Sequence, residues 1–127
     1  MEQYLIDTNI ISHYLTSEFP EKGLSFLDNI FDAVPNISVI TQIEILCWKS
    51  TDAIETLVKD LINDSKVFEL DNEVINHCIS IRRKKSMKTP DAIIAATALA
   101  NNFILITSNE KDFQNIKGLK IMNPHKL

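Results

Sequence analysis

The chain reads as an α/β fold built on a parallel sheet, and three observations carry that expectation. Short apolar segments of strand type alternate with helical patterns along the sequence, and strands separated by helices pair in parallel through right-handed crossovers. Phe103-Ile104-Leu105-Ile106 is a continuous apolar run, as expected of a strand covered on both faces. From Ala92 to Ala100 every residue but Thr97 is apolar, which leaves no face for water and predicts a buried central helix.

Taken in order, Gln3 to Ile6 is a short strand, followed at once by Asp7-Thr8-Asn9 and a helical pattern through Ile10, Ile11, Tyr14 and Leu15. Pro20 to Val34 is a second helix with Leu24, Leu27, Phe31 and Val34 on one face. Phe26 and Ile30 widen that stripe, for a partner or for the chain's own core. Pro35 ends it, and Asn36 to Ile40 is the second strand. Thr41-Gln42-Ile43-Glu44 has the form of a capping box opening the next helix. Asp52 to Asp64 is amphipathic, with Ile54, Leu57, Val58, Leu61 and Ile62 facing inward, and Lys66 to Leu70 is a short strand suited to a sheet edge.

Asp71 to about Met87 is the longest helix, with Val74, Ile75, Cys78 and Ile79 as its inward face. Thr89 is placed to cap the central helix and Pro90 to occupy its first position. Asn101-Asn102 breaks the pattern before the 103–106 strand. Asn109 then stands where it can cap a short helix holding Asp112. Leu119 to Met122 is a last strand, and the tail from Asn123 is expected to fray. No repeat or linker divides residues 1–127, so a single domain is expected.

Composition removes several classes of chemistry. Gly23 and Gly118 are the only glycines, which excludes a P-loop and a dinucleotide fingerprint, since both need several glycines where backbone approaches phosphate. G-x-S-x-G and H-E-x-x-H are absent, and His13, His77 and His125 are far apart. Cys47 and Cys78 show no C-x-x-C spacing, so neither a disulfide framework nor a zinc site is expected. No apolar run approaches the ~20 residues of a membrane span, and no signal-peptide pattern opens the chain, so a cytoplasmic protein without membrane attachment is expected.

What remains as chemical equipment is carboxylate. Asp7, Glu44 and Asp112 each follow a strand within a few residues, and in a parallel sheet the carboxyl ends of the strands share one edge, where ligands bind. Asp91 joins them if its helix points its N-terminus to that edge. Each acid alone could simply cap a helix. Together they would repel and lose solvation, which a divalent cation relieves. Oxygen donors without neighbouring imidazole or thiolate suit Mg²⁺ or Mn²⁺, ions typically used on phosphoryl groups. Arg82, Arg83, Lys84, Lys85 and Lys88 gather just before Asp91 in a chain of net charge −4, as a cation-favoured helix end, an RNA-phosphate track, or both.

Leu5-Ile6-Asp7-Thr8-Asn9, the strand and Thr41-x-x-Glu44, Pro90-Asp91-Ala92-Ile93-Ile94-Ala95-Ala96 and Thr107-Ser108-Asn109-Glu110-Lys111-Asp112-Phe113 resemble, in order, the four motifs of PIN-domain ribonucleases. The similarity is to the small VapC-like toxins of type II toxin–antitoxin pairs. The resemblance implies a PIN-like three-layer α/β/α sandwich with a five-stranded parallel sheet, and Mg²⁺-dependent cleavage of RNA. It assigns Asp7, Glu44, Asp91 and Asp112 as catalytic and metal-holding acids, with Thr8, Asn9 and Thr107 orienting them. Asn109 departs from the pattern, standing where many relatives have another acid. The resemblance also implies an antitoxin partner and a homodimer. Two other readings compete with this one: a non-catalytic interaction module whose acids only cap helices, and a structure-specific DNA nuclease, for whose DNA-clamping elements the chain has no room.

Overall fold

A computed structural model describes residues 2–16 and 18–127. Its strands are β1 (Tyr4–Ile6), β2 (Asn36–Ser38), β3 (Lys66–Phe68), β4 (Ile104–Ile106) and β5 (Ile121–Met122). They form one sheet in the order β3-β2-β1-β4-β5, parallel at every pairing. The helices are α1 (Thr8–Leu15), α2 (Glu21–Asp32), α3 (Val39–Leu46), α4 (Asp52–Asn63), α5 (Asn72–Lys84), α6 (Thr89–Asn101) and α7 (Glu110–Phe113).

The strands are three residues or shorter, so the pleat alone sorts side chains between two cores. Leu5 and Leu105 are buried on one side of the sheet with Val74, Cys78, Ile81 and the α6 residues Ala92 to Ala98. Ile6 and Ile106, one position on, are buried on the other with Ile10, Ile11, Leu27, Ile37, Ile45, Val58 and Ile62. Helix α6 is buried continuously from Ala92 to Ala98, and its small side chains let it lie against α5, α3, β2 and β4 together. Asn102 ends it in the left-handed conformation, at φ 58°.

The chain winds outward from β1 through β2 to β3, then returns to place β4 on the other side of β1. The winding direction therefore reverses between β1 and β4, and the crevice beyond their carboxyl ends is where this topology opens a binding site.

Several local expectations are corrected. Ser38, not Thr41, caps α3: its hydroxyl accepts from Ile40 N–H at 3.1 Å, so Thr41 lies inside the helix and Glu44 is free of any capping duty. Lys88 occupies the cap position of α6, with Thr89 and Pro90 in its first turn. The inward face of α5 is Val74, Cys78 and Ile81, whereas Ile75 and Ile79 are exposed, because the helix meets α6 along an i, i+4, i+7 row. In α2, Leu27 is buried and Leu24, Phe26, Ile30 and Phe31 pack on the core, which absorbs the wide stripe except for Val34.

The C-terminal tail does not fray. Residues Pro124–Lys126 form a 3₁₀ turn whose Pro124 is buried, and His125 stacks on Phe19 at 4.3 Å. Gly23 in α2 makes this possible: a Cβ there would stand 2.1 Å from the Pro124 carbonyl oxygen. Gly23→Ala gains up to ~1 kcal/mol of helix propensity but must push backbone apart, at ~1–3 kcal/mol. The expected outcome is a net loss of stability and a tail open to carboxypeptidase, measured by urea unfolding and limited digestion. Unchanged stability would show that the turn does not need this close approach.

Candidate active site

The reversal crevice is built from β1 outward. Asp7 follows β1 directly; its backbone N–H donates to the Ile106 carbonyl of β4 at 2.9 Å, which continues the ladder and aims the side chain across the sheet edge. Asp7 is 5% exposed, an unusual state for a carboxylate. It accepts hydrogen bonds from Thr8 N–H and from the buried Thr107 hydroxyl, both at 2.8 Å. Thr107 Oγ1 in turn accepts from Asn109 N–H at 3.0 Å, so the loop after β4 is tied to Asp7 through one hydroxyl.

A second relay fixes Glu44. The Thr8 hydroxyl donates to Glu44 Oε1 at 2.7 Å and lies 3.1 Å from the buried Thr41 hydroxyl. Because the single Thr8 proton goes to the carboxylate, Thr41 supplies the proton shared by the two hydroxyls. Asn109 occupies the cap position of α7 without capping it; its amide Nδ2 donates instead to Asp112 Oδ2 at 2.7 Å. Asn109 therefore orients the last acid where it cannot add charge.

The carboxylates sense one another. Burial pushes the pKa of Asp7 up to about 6, against its hydrogen bonds from Thr107 and Thr8, and the charges of Asp91 and Glu44 raise it further. Partial burial also raises Asp91, helped by Glu44 and Asp112 and opposed by Lys88. Asp91 lies in the first turn of α6, so the buried helix acts as a rigid post that brings the residue to the crevice with the favourable end of its dipole.

Two clefts meet at Asp91. One, of about 460 Å³, is lined by Asp7, Thr8, Asn9, Glu44, Asp91 and Asn109, together with Ser12, Ile45, Cys47 and Trp48. The other, of about 810 Å³, is lined by Asp91, Asp112, Arg82, Lys85, Lys88 and Lys111, with Ser86, Met87 and Gln114. Of the basic run, Arg83 and Lys84 line neither cleft. The sequence offered no pattern for Lys111, Cys47 or Trp48 as cleft residues; the spacing of Trp48 four positions beyond Glu44 was the only available signal.

The donor set tests what cation could sit here. Asp7, Glu44, Asp91 and Asp112 offer hard oxygens, with hydroxyl and amide oxygens beside them, whereas the soft side chains are one to each cleft, the exposed Cys47 thiol and the Met87 thioether. Among the described residues no three His, Cys, Asp or Glu side chains enclose a point tightly enough to hold an ion unaided. Mg²⁺ keeps several waters and takes only one or two carboxylates directly, so an open, acidic, all-oxygen set fits it.

Comparison with known proteins settles the family. The PIN domain pattern matches residues 4–119. The chain belongs to the PIN-domain family. Members of this family are nucleases. In structure this PIN domain is similar to a toxin–antitoxin complex from Klebsiella pneumoniae, with TM-score 0.77 and 25% identity over 96% of this chain and 98% of the other. It shares its fold with the DNA-bound VapBC of Salmonella typhimurium, at TM-score 0.79 and 21% identity over 98% and 99% of the two chains. A VapBC complex from nontypeable Haemophilus influenzae gives TM-score 0.76 and 22% identity over 95% and 97%. No curated protein matches the chain in sequence. Among the described residues no helix is long and apolar enough to cross a membrane. The PIN-like sandwich expected from the four motifs is borne out, and the expected likeness to VapC-like toxins is borne out in fold.

Proposed function

We infer that this PIN domain is a Mg²⁺-dependent endoribonuclease and the toxin of a toxin–antitoxin pair. The observation that carries the reading is the burial of Asp7 at the β1–β4 crevice, in a cleft it shares with Glu44 and Asp91. Asp7 also caps α1 and ties down Thr107, but placing its charge in the protein interior beside other acids costs stability that a bound cation would return.

Asp7, Asp91 and Glu44 would hold the cation, with Asp112 on the far side of Asp91. A bound Mg²⁺ supplies Lewis acidity toward the phosphate and lowers the pKa of water. The chain's own contributions are positional. Thr107 and Thr8 N–H fix both oxygens of Asp7, the Thr41–Thr8 relay fixes Glu44, and Asn109 fixes Asp112. Arg82, Lys85, Lys88 and Lys111 form a cationic wall beside the acids, suited to the phosphates flanking the one that is cut. With Arg83 and Lys84 outside that wall, the RNA track narrows to Arg82, Lys85 and Lys88 and gains Lys111.

Relatives of the same fold occur in complexes with antitoxins, and this chain exposes apolar side chains that such a partner and a second copy of the chain could cover: Ile43 and Leu46 on α3, Ile75 and Ile79 on α5. Incubation of the purified protein, free of any partner, with single-stranded RNA tests the reading: cleavage requires Mg²⁺ and stops with EDTA.

A further inference from the structure

The cleft that holds Asp7, Glu44 and Asp91 has a second character that metal chemistry does not use. Ile45, Cys47 and Trp48 also line it. Trp48 lies just past the end of α3, and its backbone N–H donates to the Ile45 carbonyl at 3.3 Å, so the chain makes one more turn after Leu46. That extra turn brings Trp48, four residues after Glu44, to the same side as the acid. Trp48 packs, partly buried, against the hydrophobic core cluster to which Ile45 and Val58 belong. The residue is nevertheless half-buried rather than buried, and among the described residues its ring stacks on no other aromatic.

An indole braced by a core and open toward a cleft is a rigid surface for a flat partner. On the other side of Asp91 the wall is cationic, through Arg82, Lys85, Lys88 and Lys111. A single strand laid across Asp91 would therefore meet cations for its phosphates on one side and an aromatic face for a base on the other. Stacking platforms combined with basic troughs are how proteins grip unpaired nucleic acid, whereas the bases of a duplex are already stacked and unavailable.

Resting on the nuclease reading above, we propose that Trp48 stacks one unpaired nucleobase next to the scissile phosphate and so restricts this enzyme to single-stranded or looped RNA. Trp48 is a substrate-binding residue in this account and takes no part in proton or phosphoryl transfer. Its place outside the acidic set makes it separable from catalysis.

Trp48 is the only tryptophan in the chain, so its own emission reports the contact. With the non-cleaving Asp91→Asn protein in Mg²⁺, a single-stranded oligoribonucleotide is expected to quench that emission as it binds, and the same oligonucleotide annealed to its complement is not. Binding seen by anisotropy with unchanged emission would overturn the proposal, and this arm needs no change at position 48.

The kinetic arm uses a single-site RNA substrate with an abasic nucleotide placed at each position in turn. At one position beside the cut, the abasic substitution is expected to lower kcat/KM of the wild-type protein about 10- to 100-fold, the range of one base–aromatic stack. Trp48→Ala is expected to lose the same factor on the intact substrate and nothing more on that abasic one, while Trp48→Phe recovers most of it. Equal abasic penalties in wild type and Trp48→Ala at every position would overturn the proposal while leaving the nuclease reading intact. A wild-type protein that cuts no RNA with Mg²⁺ would overturn both.

Discussion

Asp91→Asn is expected to lower RNA cleavage by ~10³-fold or more while the fold stays in place. In the proposed cation site, removing the Asp91 charge would sacrifice several kcal/mol of transition-state stabilisation, at about 1.4 kcal/mol per decade of rate. The structural side of the balance is small. Asp91 lies in the first turn of α6, and its loss forfeits ~0.3–1 kcal/mol of helix-dipole attraction. Relief of repulsion from Glu44 and Asp112 acts in the opposite direction. Melting temperature should therefore move by only a few degrees, read by circular dichroism alongside the cleavage assay. A variant that keeps full activity would remove Asp91 from the site and return it to the role of an ordinary first-turn acid.

The second large effect is on stability and follows from Asp7. Its pKa is about 6 in the fold against 3.8 for an ordinary aspartate, so the folded chain binds the proton more tightly than the unfolded one. The stabilisation linked to that proton is complete below about pH 4, declines as pH rises through the interval, and is gone above about pH 6. Two units correspond to roughly 3 kcal/mol. In metal-free protein, urea unfolding should show the Asp7 contribution falling between pH 4 and pH 6.5. Asp7→Asn should flatten that slope and make the metal-free protein more stable than wild type at pH 7.5. Mg²⁺ should restore stability to wild type at pH 7.5 and do much less for the variant, since a ligand of the native state stabilises in proportion to ln(1 + [L]/Kd). A wild type whose stability rises through that interval exactly as its Asp7→Asn variant does would contradict the assignment of Asp7 as a strained, cation-seeking acid.

How far the sequence carried this picture differs from element to element. The strand–acid succession at Ile6-Asp7 and the all-round apolar run of α6 were legible because they depend on local periodicity and on burial of whole faces. The parallel alternation then implied a shared edge for Asp7, Glu44 and Asp112. The cap of α3 was misread because Thr41-x-x-Glu44 satisfies a local rule that Ser38, three residues earlier, satisfies first. The exposed Ile75 and Ile79 look inward by composition, yet the neighbour α6 decides which row of α5 is covered. The docking of Pro124 and His125 on α2 depends on a missing side chain at Gly23, a signal that periodicity does not contain. Lys111 joins its cleft only through the fold, since it lies far from Asp91 along the chain, whereas Trp48 had its spacing from Glu44 as a faint signal. Asn109 illustrates a different gap: the residue type showed that it carries no charge, but only geometry gave it the task of holding Asp112.

In the proposed function these acids form one cation-dependent site, where a water of lowered pKa, not the RNA's own 2′-hydroxyl, would attack the phosphate. The most direct test is cleavage of a single-site RNA substrate and of its twin with one 2′-deoxynucleotide at the cut, each in Mg²⁺ and in EDTA, with the product ends identified by mass spectrometry. The account predicts that both substrates are cut in Mg²⁺, that neither is cut in EDTA, and that no 2′,3′-cyclic phosphate forms. Cleavage that persists in EDTA, or that fails on the deoxy twin and leaves cyclic phosphate ends, would contradict it.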